Sequence, residues 1–100
     1  MTAIKTNHHV IVRFQLKKEE EMFELVALIK ELEKIIKSSP DFISAKLHRN
    51  FEGTVLINYA TWTSPQAYEK FWKEYVTNTE TNKKIESYKP MVDHVFELHR

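Results

Sequence analysis

Asn58 and Trp62 stand four residues apart in the run TVLINYATW at 54–62. On a strand that spacing sets both side chains on one face, because successive residues alternate. An amide in the middle of an apolar strand needs partners, since a buried polar group left unpaired costs about 1–3 kcal/mol. Two accounts of the pair are open. In one, Asn58 bonds to backbone or water and Trp62 fills the core. In the other, they form a pocket wall with a single amide beside a broad aromatic surface, the makeup of many small-molecule sites.

The five histidines offer less. His8 and His9 are adjacent, so on a strand they point to opposite faces. His48, His94 and His99 are scattered, and neither HExxH nor a His and carboxylate cluster on one helix can be written. No metal site is expected. Ser38, Ser39, Ser44, Ser64 and Ser87 fall at caps, turns and plain strand positions, without a GxSxG elbow.

Composition excludes further classes. The chain has no cysteine, which rules out disulfides, iron–sulfur clusters and a thiol nucleophile. Gly53 is its single glycine, so neither GxGxxG nor a phosphate-binding P-loop is possible. Fifteen basic against fourteen acidic residues leave a net charge of +1, no footprint for nucleic acid. No apolar run reaches membrane-spanning length, and the first residues lack a signal-peptide core. A cytoplasmic location is the default expectation.

These residues need a frame to hold them. The 100 residues fit one domain, 1–100, with 1–8 expected as a flexible lead. Val10, Val12, Phe14 and Leu16 alternate with polar residues, the mark of a half-buried strand. Over 18–37 the period changes: Met22, Leu25, Val26, Ile29, Leu32 and Ile36 recur at steps of three and four. Glu19, Glu20, Glu21 and Glu24 at one end and Lys30, Lys34 and Lys37 at the other suit the helix dipole. Pro40 ends that helix. Over 42–49, Ile43, Ala45 and Leu47 alternate with Ser44, Lys46 and His48, and Gly53 supplies the turn of a hairpin into 54–62.

Both faces of 54–62 are apolar: Val55, Ile57 and Tyr59 on one, Leu56, Ala60 and Trp62 on the other. A strand covered on one side only does not need that, so a second protomer is expected over the outer face. Ser64 and Pro65 open a second helix as N-cap and first residue. Its stripe runs through Ala67, Tyr68, Phe71, Trp72, Tyr75 and Val76. The polar stretch 77–82 reads as loop, and 83–89 as a short helical piece before Pro90. The stretch 91–99 reads as a closing strand, with Val92, Phe96 and Leu98 on one face and His94 interrupting. The order βαββαβ specifies an α+β, ferredoxin-like fold: a four-stranded antiparallel sheet with helices on one face.

The stretches FISAKLHR at 42–49, Gly53 with Thr54, and NYATWTSPQAY at 58–68 resemble the antibiotic biosynthesis monooxygenase family. The likeness is strongest from Phe42 to about Trp72 and is one of pattern elsewhere. It implies a homodimeric α+β barrel that oxidises an aromatic or quinol-like small molecule with O2, without metal, flavin or nicotinamide. It also implies site roles. Asn58 would hydrogen-bond the substrate oxygen, Trp62 would wall the pocket, and Tyr68 would donate from the second helix, with Phe71 and Trp72 adding binding surface. His48 matches a pocket histidine of polyketide-oxidising members and would act as base, while a hairpin-end side chain in solvent is the equal alternative. Such members also supply an Arg from the later half of the chain. None lies between Arg49 and Arg100 here, so Asn82, Lys83 or Lys84 would stand in.

Two other readings share the barrel. One is a non-catalytic dimer that binds a small hydrophobic ligand. The other is a haem-degrading monooxygenase, but members of that group usually carry a ligating His after the second helix and an Asn in the first strand. Here 77–89 has no His and 10–16 has no Asn.

Overall fold

Strand alternation and helical stripe together build two layers. A computed structural model describes residues 7–97 of the chain. Its elements are β1 (His8–Gln15), α1 (Glu21–Ile36), β2 (Phe42–Arg49), β3 (Val55–Trp62), α2 (Pro65–Phe71), α3 (Glu80–Glu86) and β4 (Met91–Val95). The four strands pair antiparallel in the order β2-β3-β1-β4, the ferredoxin-like arrangement, and the helices pack on one face. Among the described residues no helix is long and apolar enough to cross a membrane.

The core forms where the β1 and β3 patterns meet the α1 stripe. Phe14 and Leu56 pair across the two strands and pack with Leu25, Ile29 and Leu32. A second apolar cluster, around Val10, Ala60, Trp62 and Tyr68, adjoins it at the other end of the sheet. Removing each side chain of this size from water contributes about 1.5–3 kcal/mol.

Local chemistry sets the element ends. Glu21 Oε1 accepts from the backbone N–H groups of Lys17 and Lys18 at 2.8 and 2.9 Å, closing the turn before α1. Asn50 Oδ1 accepts from the N–H groups of Thr54 and Val55 in the hairpin turn, and Gly53 sits there at φ 73°, where a side chain would be strained. Ser64 Oγ accepts from Ala67 N–H at 3.1 Å, with Pro65 at the first helical position.

Four expectations need adjustment. First, the segment 77–82 is not all loop: Thr79 Oγ1 accepts from Asn82 N–H at 3.1 Å and caps α3, which starts at Glu80. The polar run hid this start, because the only strongly apolar residue of α3 is Ile85, near its end. Second, a bulge between Phe42 and Ser44 turns Phe42 toward Trp62 and leaves Ile43 exposed, off the face of Ala45 and Leu47. Third, the second helix does not stay α-helical. Trp72–Val76 is a π-helical turn, in which Thr77 N–H donates to the carbonyl of Trp72, five residues back, at 2.9 Å. Fourth, β1 starts at His8, inside the expected lead, while residues 1–6 and the expected strand positions Leu98 and His99 lie outside the described residues.

Candidate functional site

Between the sheet and the helices lies a cavity of about 100 Å³, to which every element contributes. Parity on β3 decides what it contains. Leu56, Asn58, Ala60 and Trp62 face the helices, so Asn58 and Trp62 reach the cavity together. Trp62 is 1% exposed and is boxed by rings: Phe42 at 5.4 Å, Tyr68 at 5.4 Å and Phe71 at 5.6 Å between centroids. Two of these contacts are edge-to-face, the arrangement that ring quadrupoles favour.

Asn58 is the anomaly of the cavity. Its Oδ1 is wholly buried and has no hydrogen-bond partner among the described residues. Folded proteins pair nearly all such atoms, so an orphan facing a cavity marks a place where a ligand donor would be accommodated. Asn82 supplies a second amide. It is 5% exposed and lines the cavity from α3, where its backbone N–H is held by the Thr79 cap. Of the three stand-ins for the absent Arg, only Asn82 is there. Lys83 and Lys84 are exposed, and Lys83 pairs with Glu80 at 3.7 Å.

Tyr68 projects from the first turns of α2, fixed by the Ser64 cap. Burial, reinforced by the nearby carboxylates of Glu86 and Glu69, pushes its hydroxyl up to about 12. It therefore stays protonated and able to donate. Its ring also meets Trp72 at 5.1 Å, and Trp72 lines the cavity where α2 passes into the π-helical turn. Phe71 sits behind Trp62 rather than on the wall.

On the other side of Tyr68 stand His8 and His94. The two rings stack at 5.1 Å, with Nε2 of His8 within 3.0 Å of Nδ1 of His94, so one ring donates and the other accepts. Burial, then the neighbouring imidazoles of His94 and His9, hold His8 below the usual histidine range. No group of three or more His, Cys, Asp or Glu side chains able to hold a metal occurs among the described residues.

His48 does not join this set. It pairs with Ile57 across β2 and β3, so its side chain lies on the opposite face of the sheet from Asn58 and Trp62, and it is exposed. The strand alternation already placed it opposite Ala45, which does line the cavity. The carboxylates of Glu33 and Glu86 are cavity residues that sequence reasoning missed, because nothing in a helix pattern separates a rim carboxylate from a solvated one.

The architecture is that of the antibiotic biosynthesis monooxygenases and of dimeric ferredoxin-like proteins. A monooxygenase from the gene ActVA-Orf6 of Streptomyces coelicolor, solved in complex with nanaomycin D, superposes with a TM-score of 0.75. It is 22% identical over 96% of this chain and 91% of that one. SnoaB, a cofactor-independent oxygenase from Streptomyces nogalater, superposes at 0.75 with 14% identity, covering 94% of this chain and 93% of its own. A dimeric ferredoxin-like protein from an uncultured marine organism superposes at 0.74 with 12% identity, over 95% and 90%. No family model matches the sequence, and no curated protein matches it.

Proposed function

We propose that the chain is a monooxygenase that needs no cofactor and oxidises an aromatic or quinol-like small molecule with O2. The observation that carries this reading is the orphaned Oδ1 of Asn58, buried beside Trp62 and Tyr68 in an aromatic cavity. The likeness to solved monooxygenases supports it at the level of fold.

The chemistry asked of the protein is modest. A substrate methylene next to an aromatic carbonyl, once deprotonated, can pass an electron to O2. One oxygen atom then ends as a carbonyl on that carbon, and the other leaves with its two hydrogens as water. The protein must exclude solvent, receive a proton and steady the developing oxyanion. Asn58 accepts from a substrate hydroxyl, Tyr68 donates to the oxyanion, and Trp62 and Trp72 hold the ring. With His48 on the far face, the proton acceptors available to this cavity are the carboxylates of Glu33 and Glu86.

The active form in this reading is a homodimer joined through the uncovered face of the sheet. Ile57 and Ile11 are only half-buried there, and Tyr59 is 38% exposed. Sedimentation at micromolar concentration is expected to give twice the chain mass, and a monomer there overturns the dimer.

Oxygen uptake with a panel of quinols and anthrones, from one ring to three, tests the activity. Consumption should fall at least tenfold in kcat/KM, about 1.4 kcal/mol, for Asn58→Ala and for Trp62→Phe. No uptake with any substrate, or unchanged rates in both variants, overturns it. A second reading, a barrel that binds such a ligand without turnover, draws on the acidic rim and the absent His48, which give an enolate little help. It expects binding to the same cavity with no oxygen consumed.

A further inference from the structure

The cavity carries charge of one sign. Glu33 from α1 and Glu86 from α3 line it, and no Lys or Arg does among the described residues. Neither carboxylate takes part in an ion pair there, whereas the nearby Lys83 is paired with Glu80 at 3.7 Å. Glu33 is half-buried and Glu86 exposed, which sets them at the rim, between solvent and the aromatic wall. A field of one sign over a low-dielectric cleft selects ligands by charge.

Deeper in, the polar groups select by hydrogen bonding. Asn58 Oδ1 is an acceptor without a donor, and Tyr68 is a donor that stays neutral. The volume of about 100 Å³ sets the size. That is less than the roughly 150 Å³ of a cavity that takes a benzene molecule, so the enclosed part holds no more than one ring and the rest of a ligand extends past the rim.

On the reading of this cavity as a small-molecule site, we infer that it takes a single-ring aromatic ligand bearing an O–H or N–H donor and no negative charge. Glu33 and Glu86 set that charge selectivity. The ring lies against Trp62 and Trp72, its hydroxyl donates to Asn58, and its tail leaves past the two carboxylates. A cationic or neutral tail is accepted there, and a carboxylate tail is repelled.

Three probes with the same 4-hydroxyphenyl ring and different tails test this: tyramine, tyrosol and 4-hydroxyphenylacetate, titrated by calorimetry near neutral pH at low salt. Tyramine and tyrosol should bind, with 4-hydroxyphenylacetate at least tenfold weaker than tyramine. In the Glu33→Gln, Glu86→Gln double variant the gap between amine and acid should close to within about twofold, the expected loss of a rim charge effect. Raising salt from about 0.01 M to about 1 M, which shortens the Debye length from roughly 30 Å to roughly 3 Å, should narrow the same gap in the unaltered chain. That arm decides the matter even where the double variant fails to fold.

Equal or tighter binding of the acid, a gap that survives both charge removal and salt, or no binding by any of the three at millimolar concentration overturns the inference. The outcomes separate it from the oxygenase reading. Charge selectivity without oxygen uptake leaves this inference standing and removes only the catalytic one. Oxygen uptake that favours acid-bearing substrates does the reverse.

Discussion

The two faces of one strand behave as different materials. On β3, Leu56, Asn58, Ala60 and Trp62 meet helices, rings and a cavity, while Val55, Ile57 and Tyr59 look outward with His48 beside them on β2. Both faces are apolar in composition, yet among the described residues only the covered one contains a polar side-chain atom buried without a partner. An uncovered apolar face is explained by packing alone, because another surface can close over it. The covered face is not. An unpaired amide inside a core is a cost that packing does not return. The difference separates residues that packing accounts for from one that it does not.

Breaking the covered face should have the largest effect. Trp62→Ala is expected to lower stability by about 3–5 kcal/mol, roughly 12–40 °C in Tm by calorimetry. Tyr59→Ala, on the open face, should cost the isolated chain less than about 1 kcal/mol and weaken self-association instead. Equal losses of stability at the two positions would erase the contrast.

Next is the ionisation of Tyr68. Its folded value of about 12 lies above the ordinary tyrosine value near 10. The folded chain therefore holds that proton more tightly than the unfolded chain. The linked stability is fully present below pH about 10 and is lost as pH rises toward 12, on the order of 2–3 kcal/mol. Denaturant unfolding across that range should show the decline, and Tyr68→Phe should flatten most of it. Tyr88, raised by burial and by Glu24, accounts for a smaller residue.

Asn58→Leu sharpens the comparison in the opposite direction. Removing the orphaned acceptor should raise stability by about 1–2 kcal/mol while ligand binding falls at least tenfold. A variant that is destabilised and still binds shows that Asn58 is ordinary core. The smallest effect is expected at His48. His48→Ala should leave oxygen uptake within about twofold and stability within about 0.5 kcal/mol, as for other exposed positions.

The first and third strands and the first helix were legible because their periods are unbroken: Val10, Val12 and Phe14 at steps of two, Leu25, Ile29 and Leu32 at steps of four and three. The Asn58 and Trp62 pair was legible for the same reason. Other features depend on information that period does not carry. The bulge at Ile43 shifts register by one residue without changing composition. The capping of α3 by Thr79 is written in a polar run that also suits a loop. Asn82 and Glu86 become cavity residues only through the way α3 docks against α1. For His48 the resemblance leaves pocket and solvent equally open, whereas the parity of its own strand sets it opposite Ala45 and Leu47, on the face away from the cavity.

The π-helical turn at Trp72–Val76 carries one residue more per turn than the helix before it. That extra residue changes how this chain can be aligned with any relative whose second helix is regular. Read through the turn without a gap, everything after Val76 falls out of step by one place, roughly 100° around a helix axis. Asn82 would then be matched to a neighbour of its true counterpart, and a partner for it in the later half of the chain would be missed. Counting outward from Trp62 on one side and back from the Thr79 cap on the other restores the correspondence.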